Sequence, residues 1–228
     1  MIRNVFLDAD DTLFDFRRSE KKALSETLTR FGIEPTEEVL SRYHEINAAH
    51  WRMLERREIT RAELKLRRYQ CLFDEYGIAC SASEVADCYE ERLGDGHFFI
   101  DGAEALLRAL SPRYRLYITS NGYSKTQRGR LKSAQIDTYL TDVFISQELG
   151  VDKPDVGFFE ACFARIPDCK REETVIVGDS LTSDIRGGIN AGIKTVWFRH
   201  GGMQARADIR PDFEIRQLSE LPALLTKL

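Results

Sequence analysis

Four short apolar runs in this chain each give way to polar, chemically useful residues, and that pattern restricts the fold more than any other feature. Val5-Phe6-Leu7 ends in Asp8-Ala9-Asp10-Asp11, and Leu116-Tyr117-Ile118-Thr119 ends in Ser120-Asn121-Gly122. Val143-Phe144-Ile145 is followed by Asp152-Lys153-Pro154-Asp155, and Thr174-Val175-Ile176-Val177 ends in Gly178-Asp179. Continuous apolar, β-branched runs mark strands buried on both faces, as in a parallel sheet. Helical patterns separate them: Leu106, Leu107 and Leu110 behind an Asp101/Glu104 capping box, then Lys125 to Ser133, Asp155 to Arg165, and Ile185 to Ala191 closed by Gly192. Thr195-Val196-Trp197-Phe198 reads as a further strand and Ser219 to Leu225 as a last helix, with Arg199 to Asp212 a loop of no evident role. Alternation of this kind predicts an α/β fold with a doubly wound parallel sheet.

From Phe16 to Phe99 the pattern changes, with no strand-length β-branched run and more sequence than one crossover needs. Thr36 after Pro35 starts a helix through Val39, Tyr43 and Ile46. Thr60 and Glu63 form a capping box ahead of an apolar face at Ala62, Leu66, Tyr69, Phe73 and Tyr76, and Ser81 and Glu84 form another. The expected organisation is an α/β core made of residues 1–15 and 100–228, with an all-helical domain inserted at residues 16–99.

In open parallel sheets, ligands bind beyond the carboxyl ends of the strands. Asp8 and Asp10 share one side of an extended backbone. Carboxylates so close repel unless a cation lies between them, and clustered hard oxygens suit Mg2+. A carboxylate held beside Mg2+ can also attack phosphorus to give an aspartyl-phosphate. An acidic turn capping a helix is the alternative reading. Ser120, Asn121 and Gly122 suit an anion, or else an ordinary strand–turn–helix junction with Ser124 and Gln127 as a capping box. Lys153 stands at a helix entrance that Pro154 stiffens and Asp155 caps. Asp179 is placed to complete a metal site, with Asp184 five residues further on.

Taken in order, Asp8-x-Asp10-x-Thr12, Ser120-Asn121, Lys153-Pro154 and Gly178-Asp179-Ser180 with Asp184 resemble the haloacid dehalogenase superfamily over essentially the whole chain. The resemblance implies a helical cap at residues 16–99 and a role for each motif. Asp8 is then the nucleophile and Asp10 the acid and base. Asp8, the Asp10 carbonyl and Asp179 hold Mg2+, and Ser120, Asn121 and Lys153 bind the phosphoryl group. Asp184 orients waters or Lys153, and Thr12 bonds the loop backbone. A halide needs no acid to leave, so Asp10 favours phosphate chemistry; a phosphomutase shares the carboxylate pair. The run from Gly178 to Gly188 with Asn190-Ala191-Gly192 and Trp197 looks like bacterial pyrimidine 5′-nucleotidases and is similar to N-acylneuraminate-9-phosphatases, and Trp51 with Ile59-Thr60 fits the nucleotidase pattern.

The expected function is therefore a Mg2+-dependent phosphomonoesterase acting on nucleoside 5′-monophosphates. The alternatives are a sugar-phosphate phosphatase, a mutase, or a protein that binds a phosphorylated ligand without turning it over. Trp51, with His50 and Tyr43, either stacks on a base or belongs to the helical core, while Phe14 and Asp15 are candidates for substrate contact. Seven basic residues against three acidic ones between Arg52 and Arg68 either steer phosphorylated ligands or coat a solvated helix.

Composition narrows the partners. A net charge of −4 leaves no global footprint for a nucleic-acid polymer. No apolar stretch approaches the ~18 residues of a membrane span, and no basic-then-apolar leader opens the chain. Five cysteines without a Cys-x-x-Cys pair read as reduced thiols, so a cytoplasmic monomer or homodimer taking a small phosphorylated metabolite is expected.

Overall fold

The computed structural model describes all 228 residues. Six strands, β1 (Asn4–Leu7), β2 (Arg115–Ser120), β3 (Asp142–Ile145), β4 (Thr174–Gly178), β5 (Lys194–Phe198) and β6 (Phe213–Ile215), form one parallel sheet in the order β3-β2-β1-β4-β5-β6. Helices α1 (Phe16–Arg30), α2 (Glu37–Glu55), α3 (Arg61–Tyr76) and α4 (Ala82–Gly94) lie between β1 and β2. The helices α5 (Ala103–Leu110), α6 (Ser124–Ala134), α7 (Ser146–Leu149), α8 (Val156–Phe163), α9 (Arg186–Ala191) and α10 (Leu221–Leu225) follow in alternation with the strands. The chain builds outward from β1 to β3 and then returns to the other side of β1, so the strand order reverses beside β1. Leu7 is level with Ile118 on β2 and Val177 on β4, so Asp8, Ser120 and Asp179 emerge within about one residue of one another at the same end of the sheet.

Period-two burial explains the layers. Val5, Leu7, Leu116, Ile118, Val175 and Val177 point to one face, against α5 and α10, while Phe6, Tyr117, Phe144 and Ile176 point to the other, against α8. The helices α1 to α4 have a core of their own, in which α1 packs on α4 and α2 on α3. At its centre the Tyr43 hydroxyl donates to the Tyr69 hydroxyl at 2.8 Å, and the Arg68 guanidinium lies 5.2 and 5.3 Å from the Tyr69 and Tyr89 rings. The chain passes between this helical insert and the sheet at two adjacent segments joined by a single antiparallel bridge at Phe14 and Phe99: Asp15 N–H donates to Phe98 O (2.8 Å) and Ile100 N–H to Leu13 O (2.9 Å).

Several local expectations need correction. On α3 the buried face is Leu64, Arg68, Tyr69, Leu72 and Phe73, because the tyrosine rings accept Arg68 into the core; Ala62 is exposed. The Thr60/Glu63 box forms as expected, but α5 is preceded by Gly102 with no side-chain cap, so Asp101 and Glu104 form none. Gln127 does not cap α6, since its side chain turns toward Asp10. β6 has only three residues, too short for its alternation to register in the sequence.

Candidate active site

The carboxyl ends of β1, β2 and β4 open into a cavity of about 260 Å³, roofed by residues of the helical insert. Asp8 leaves β1 with its N–H donating to Val177 O at 2.9 Å, and its side chain is almost buried. Lys153, just before α8, reaches into this space with 1% of its surface exposed. Its ammonium donates to Asp8 Oδ1 (2.7 Å), Asp184 Oδ1 (2.6 Å) and Thr119 O (2.7 Å), which uses all three hydrogens. Asn121 clasps the Lys153 backbone from both sides, its Nδ2 donating to Lys153 O (2.8 Å) and its Oδ1 accepting from Lys153 N–H (2.9 Å).

Asp179 follows Gly178, where a Cβ would overlap the Asp184 carboxylate, so only glycine lets that carboxylate lie against β4. The Asp179 N–H donates to Thr12 Oγ1 (3.1 Å), whose hydroxyl faces Asp179 Oδ1 (3.3 Å), and Trp197 Nε1 donates to Asp179 O (2.8 Å). Ligand atoms of Asp8, Asp179 and Asp184 lie within 4.8 Å of one another. Three carboxylates there face one ammonium. Burial, then repulsion from Asp184, pushes Asp8 up to about 8 despite Lys153, and burial with the Asp8 and Asp184 charges holds Asp179 well above its ordinary value. Burial opposes the Lys153 charge, but Asp184 and Asp8 more than offset it and keep that lysine protonated. A compact oxygen cluster short of positive charge fits a hard divalent cation such as Mg2+, with the Asp8 and Asp179 carboxylates as its holders.

A carboxyl whose folded pKa exceeds its unfolded value keeps its proton where the unfolded chain has lost it. The stability this contributes is complete below the unfolded value of 3.8 and is lost as the pH rises through about 8. Asp11, raised to about 6 by burial and by Asp10, and Glu55, raised by burial, act in the same direction. The Tm of chelator-treated protein is therefore expected to fall between about pH 5.5 and 8, more steeply in the wild type than in Asp8→Asn. Mg2+ at a hundred times its Kd should then raise Tm by roughly 5 to 10 °C at pH 8. Calorimetry with and without Mg2+ checks both statements; a flat Tm in the wild type would contradict the charge imbalance.

Asp10 lines the same cavity but is held differently. Its Oδ2 accepts from Gln127 Nε2 at 2.6 Å and its Oδ1 from Arg130 Nη1, both on α6. Ser120 Oγ accepts from Gly122 N–H (3.0 Å) and Gln127 Nε2 (2.8 Å), which fills its lone pairs and leaves the hydroxyl hydrogen to be donated.

A sequence profile of haloacid dehalogenase-like hydrolases matches residues 2–192. The chain belongs to that family. Among other members of the haloacid dehalogenase-like hydrolases, it is 37% identical over 223 residues to the HAD-hydrolase YfnB of Bacillus subtilis, covering 98% of this chain and 95% of that protein. A crystal structure of YfnB bound to magnesium superposes with a TM-score of 0.94 at 37% identity, covering 98% of each chain. The pyrimidine 5′-nucleotidases PynA of Streptococcus pneumoniae and YjjG of Escherichia coli are 34% and 28% identical over 98% of this chain, covering 94% and 97% of their own lengths. No helix here is long and apolar enough to cross a membrane.

The expected site residues Asp8, Asp10, Ser120, Asn121, Lys153, Asp179 and Asp184 all line this hydrolase's cavity, with Thr12 bracing it from below. Trp51 lines it too, edge-on to Tyr123 with ring centroids 6.1 Å apart. Phe14 and Asp15 do not. Phe14 is fully buried against Phe99, and the Asp15 carboxylate caps α1 by accepting from Arg18 N–H at 2.8 Å. Tyr43 and His50 are core residues, with His50 Nδ1 at 2.8 Å from Ile46 O. The basic stretch is not all solvated face, though Arg52, Arg56 and Arg67 are exposed: Arg57 pairs with Asp155, and Arg61 pairs with Asp152 and donates to Asn121 O at 2.8 Å, tying the insert to the loop around Lys153. His200, in the loop of no evident role, bonds Asp11 O at 2.7 Å and so braces the turn after β1. Gln127, Arg130, Tyr123 and Glu55 were not among the expected site residues. They lie on helices and turns whose patterns are accounted for by ordinary amphipathicity, so nothing local marks them.

Proposed function

We propose that the protein is a Mg2+-dependent phosphomonoesterase that prefers pyrimidine nucleoside 5′-monophosphates. The observation that carries the phosphatase reading is the meeting in one cavity of a buried carboxylate, a second carboxylate, a donating hydroxyl, an ammonium and an oxygen cluster suited to a divalent cation. Mg2+, held by the Asp8 and Asp179 carboxylates and the Asp10 carbonyl, would neutralise charge on the transferring phosphoryl group.

The chain's own groups divide the work as follows. An Asp8 oxygen attacks phosphorus, the bond to the leaving oxygen breaks, and the proton of the Asp10 carboxyl passes to that oxygen. Water then attacks the aspartyl-phosphate, the bond to Asp8 breaks, and Asp10 takes the water proton. Lys153, the Ser120 hydroxyl and the Asn121 N–H face the equatorial oxygens, where charge grows in the transition state. Asp184 acts by holding Lys153, and Thr12 by holding Asp179. In this reading residues 16–99 are a cap domain that Arg57 and Arg61 fasten over a core of residues 1–15 and 100–228. The five free cysteines fit a cytoplasmic setting.

Support for a nucleotide comes from the relatives named as pyrimidine 5′-nucleotidases and from the aromatic wall of Trp51 and Tyr123 on the cap side of the cavity. A base stacked there would exclude water and fix the ester in line with Asp8, so that remote binding energy emerges as rate. In a panel of phosphate esters, UMP, dUMP and dTMP are expected to show higher kcat/KM than hexose phosphates. Trp51→Ala should lower kcat/KM for UMP by roughly 10- to 100-fold, the worth of one base stack, and scarcely affect phenyl phosphate. Preference for a sugar phosphate would sink the nucleotide assignment and leave the phosphatase standing. Equal losses on both esters would make Trp51 structural.

A further inference from the structure

Arg130 is a costly residue to bury. Only 1% of it is exposed, its guanidinium sits 4.9 Å from the Phe14 ring, and its Nε and Nη2 have no hydrogen-bond partner. A buried ion pair is weak evidence of stabilisation, because desolvation offsets most of the attraction. What the arrangement does achieve is orientation. The two oxygens of Asp10 are gripped by different side chains one helical turn apart, Oδ1 by Arg130 and Oδ2 by Gln127. The Gln127 amide is itself oriented, since its Oε1 accepts from Arg130 Nη1 at 3.1 Å and its Nε2 must then face Asp10 and Ser120. Gly122 leaves room for this, as a Cβ there would stand 2.5 Å from Gln127 Nε2. Both rotatable bonds of the Asp10 side chain are thus determined from α6. Nothing in the turn after β1 does so, because Asp11 spends its carboxylate on Phe16 N–H at 3.0 Å.

We propose that Gln127 and Arg130 form a clamp of positioning residues that fixes the Asp10 carboxyl for proton transfer. The clamp rests on the phosphatase reading above and deepens it by assigning the acid's orientation to α6. A general acid is worth about 10² to 10⁴ in rate, but only where the leaving oxygen needs a proton. Loss of orientation must therefore discriminate between leaving groups, which loss of packing does not.

The test uses Mg2+-loaded protein and two esters, phenyl phosphate, whose leaving group is poor, and dinitrophenyl phosphate, whose leaving group departs without a proton. Wild-type turnover of both establishes the phosphatase reading first, and its absence would sink that reading before the clamp is addressed. Arg130→Met and Gln127→Leu are then expected to lower kcat/KM for phenyl phosphate by about 10²-fold while changing dinitrophenyl phosphate by less than about fivefold. Arg130→Lys should recover part of the loss. In an Asp10→Asn background, adding Arg130→Met should cost little more, because residues acting through one another are non-additive. Equal losses on the two esters, full additivity with Asp10→Asn, or no loss at all would each overturn the proposal. If Arg130→Met does not fold, Gln127→Leu and Arg130→Lys decide the question on the same two esters.

Discussion

Asp8→Asn protein is expected to fold normally and to lose turnover by about four orders of magnitude or more, the scale seen when a covalent nucleophile is removed. Asparagine keeps the size of the side chain and an oxygen that can accept from Lys153, so the 2.7 Å contact has a substitute. What disappears is the attacking charge. One of three clustered carboxylates goes with it, which relieves repulsion on Asp179 and Asp184 and should leave metal-free Asp8→Asn at least as heat-stable as the wild type at pH 8. Phosphate release from UMP and from phenyl phosphate measures the first effect and calorimetry the second, with mass spectrometry to exclude deamidation. Near wild-type rates in intact, folded Asp8→Asn would falsify covalent catalysis by this residue.

Lys153→Met should combine the loss of activity with a loss of stability. The lysine is the cation that Asp8 and Asp184 share, and removing one partner of a buried pair costs about 3 to 5 kcal/mol because the charges left behind are uncompensated. For a chain of this length that corresponds to a fall in Tm of roughly 10 °C. The carboxylates can escape by taking up protons, so the loss should be largest near pH 8 and shrink toward pH 5.5. Activity should fall at every pH, since protonation returns stability but supplies no ammonium to the phosphoryl oxygens. A Lys153→Met protein as stable as the wild type at pH 8 would mean that the loop before α8 is held by the Asn121 clasp and not by its ion pairs.

What could be read from the sequence, and what could not, divides along a physical line. The strands were legible because burial on both faces writes a continuous apolar run, and their ends because carboxylates, hydroxyls and glycine interrupt it. Helix starts at Thr36, Thr60 and Asp155 were legible for the same local reason, each cap being a bond to an N–H two or three residues ahead. Since ligands gather beyond the carboxyl ends of such strands, Asp8, Ser120 and Asp179 could be expected near one another, and the family resemblance added Lys153 to them. The sequence by itself therefore determined five of the six strands, the run of helices between β1 and β2, and the acidic centre. Only the tertiary structure decided which way longer side chains turn. Arg68 went into a core of tyrosines, Phe14 went inward while Trp51 faced the cavity, and Arg61 crossed to Asp152. The Asp10 carboxylate was given to Gln127 and Arg130, 117 and 120 residues away. Those choices rest on pairings between distant segments, each worth little until the backbone is already folded, and no local pattern encodes them.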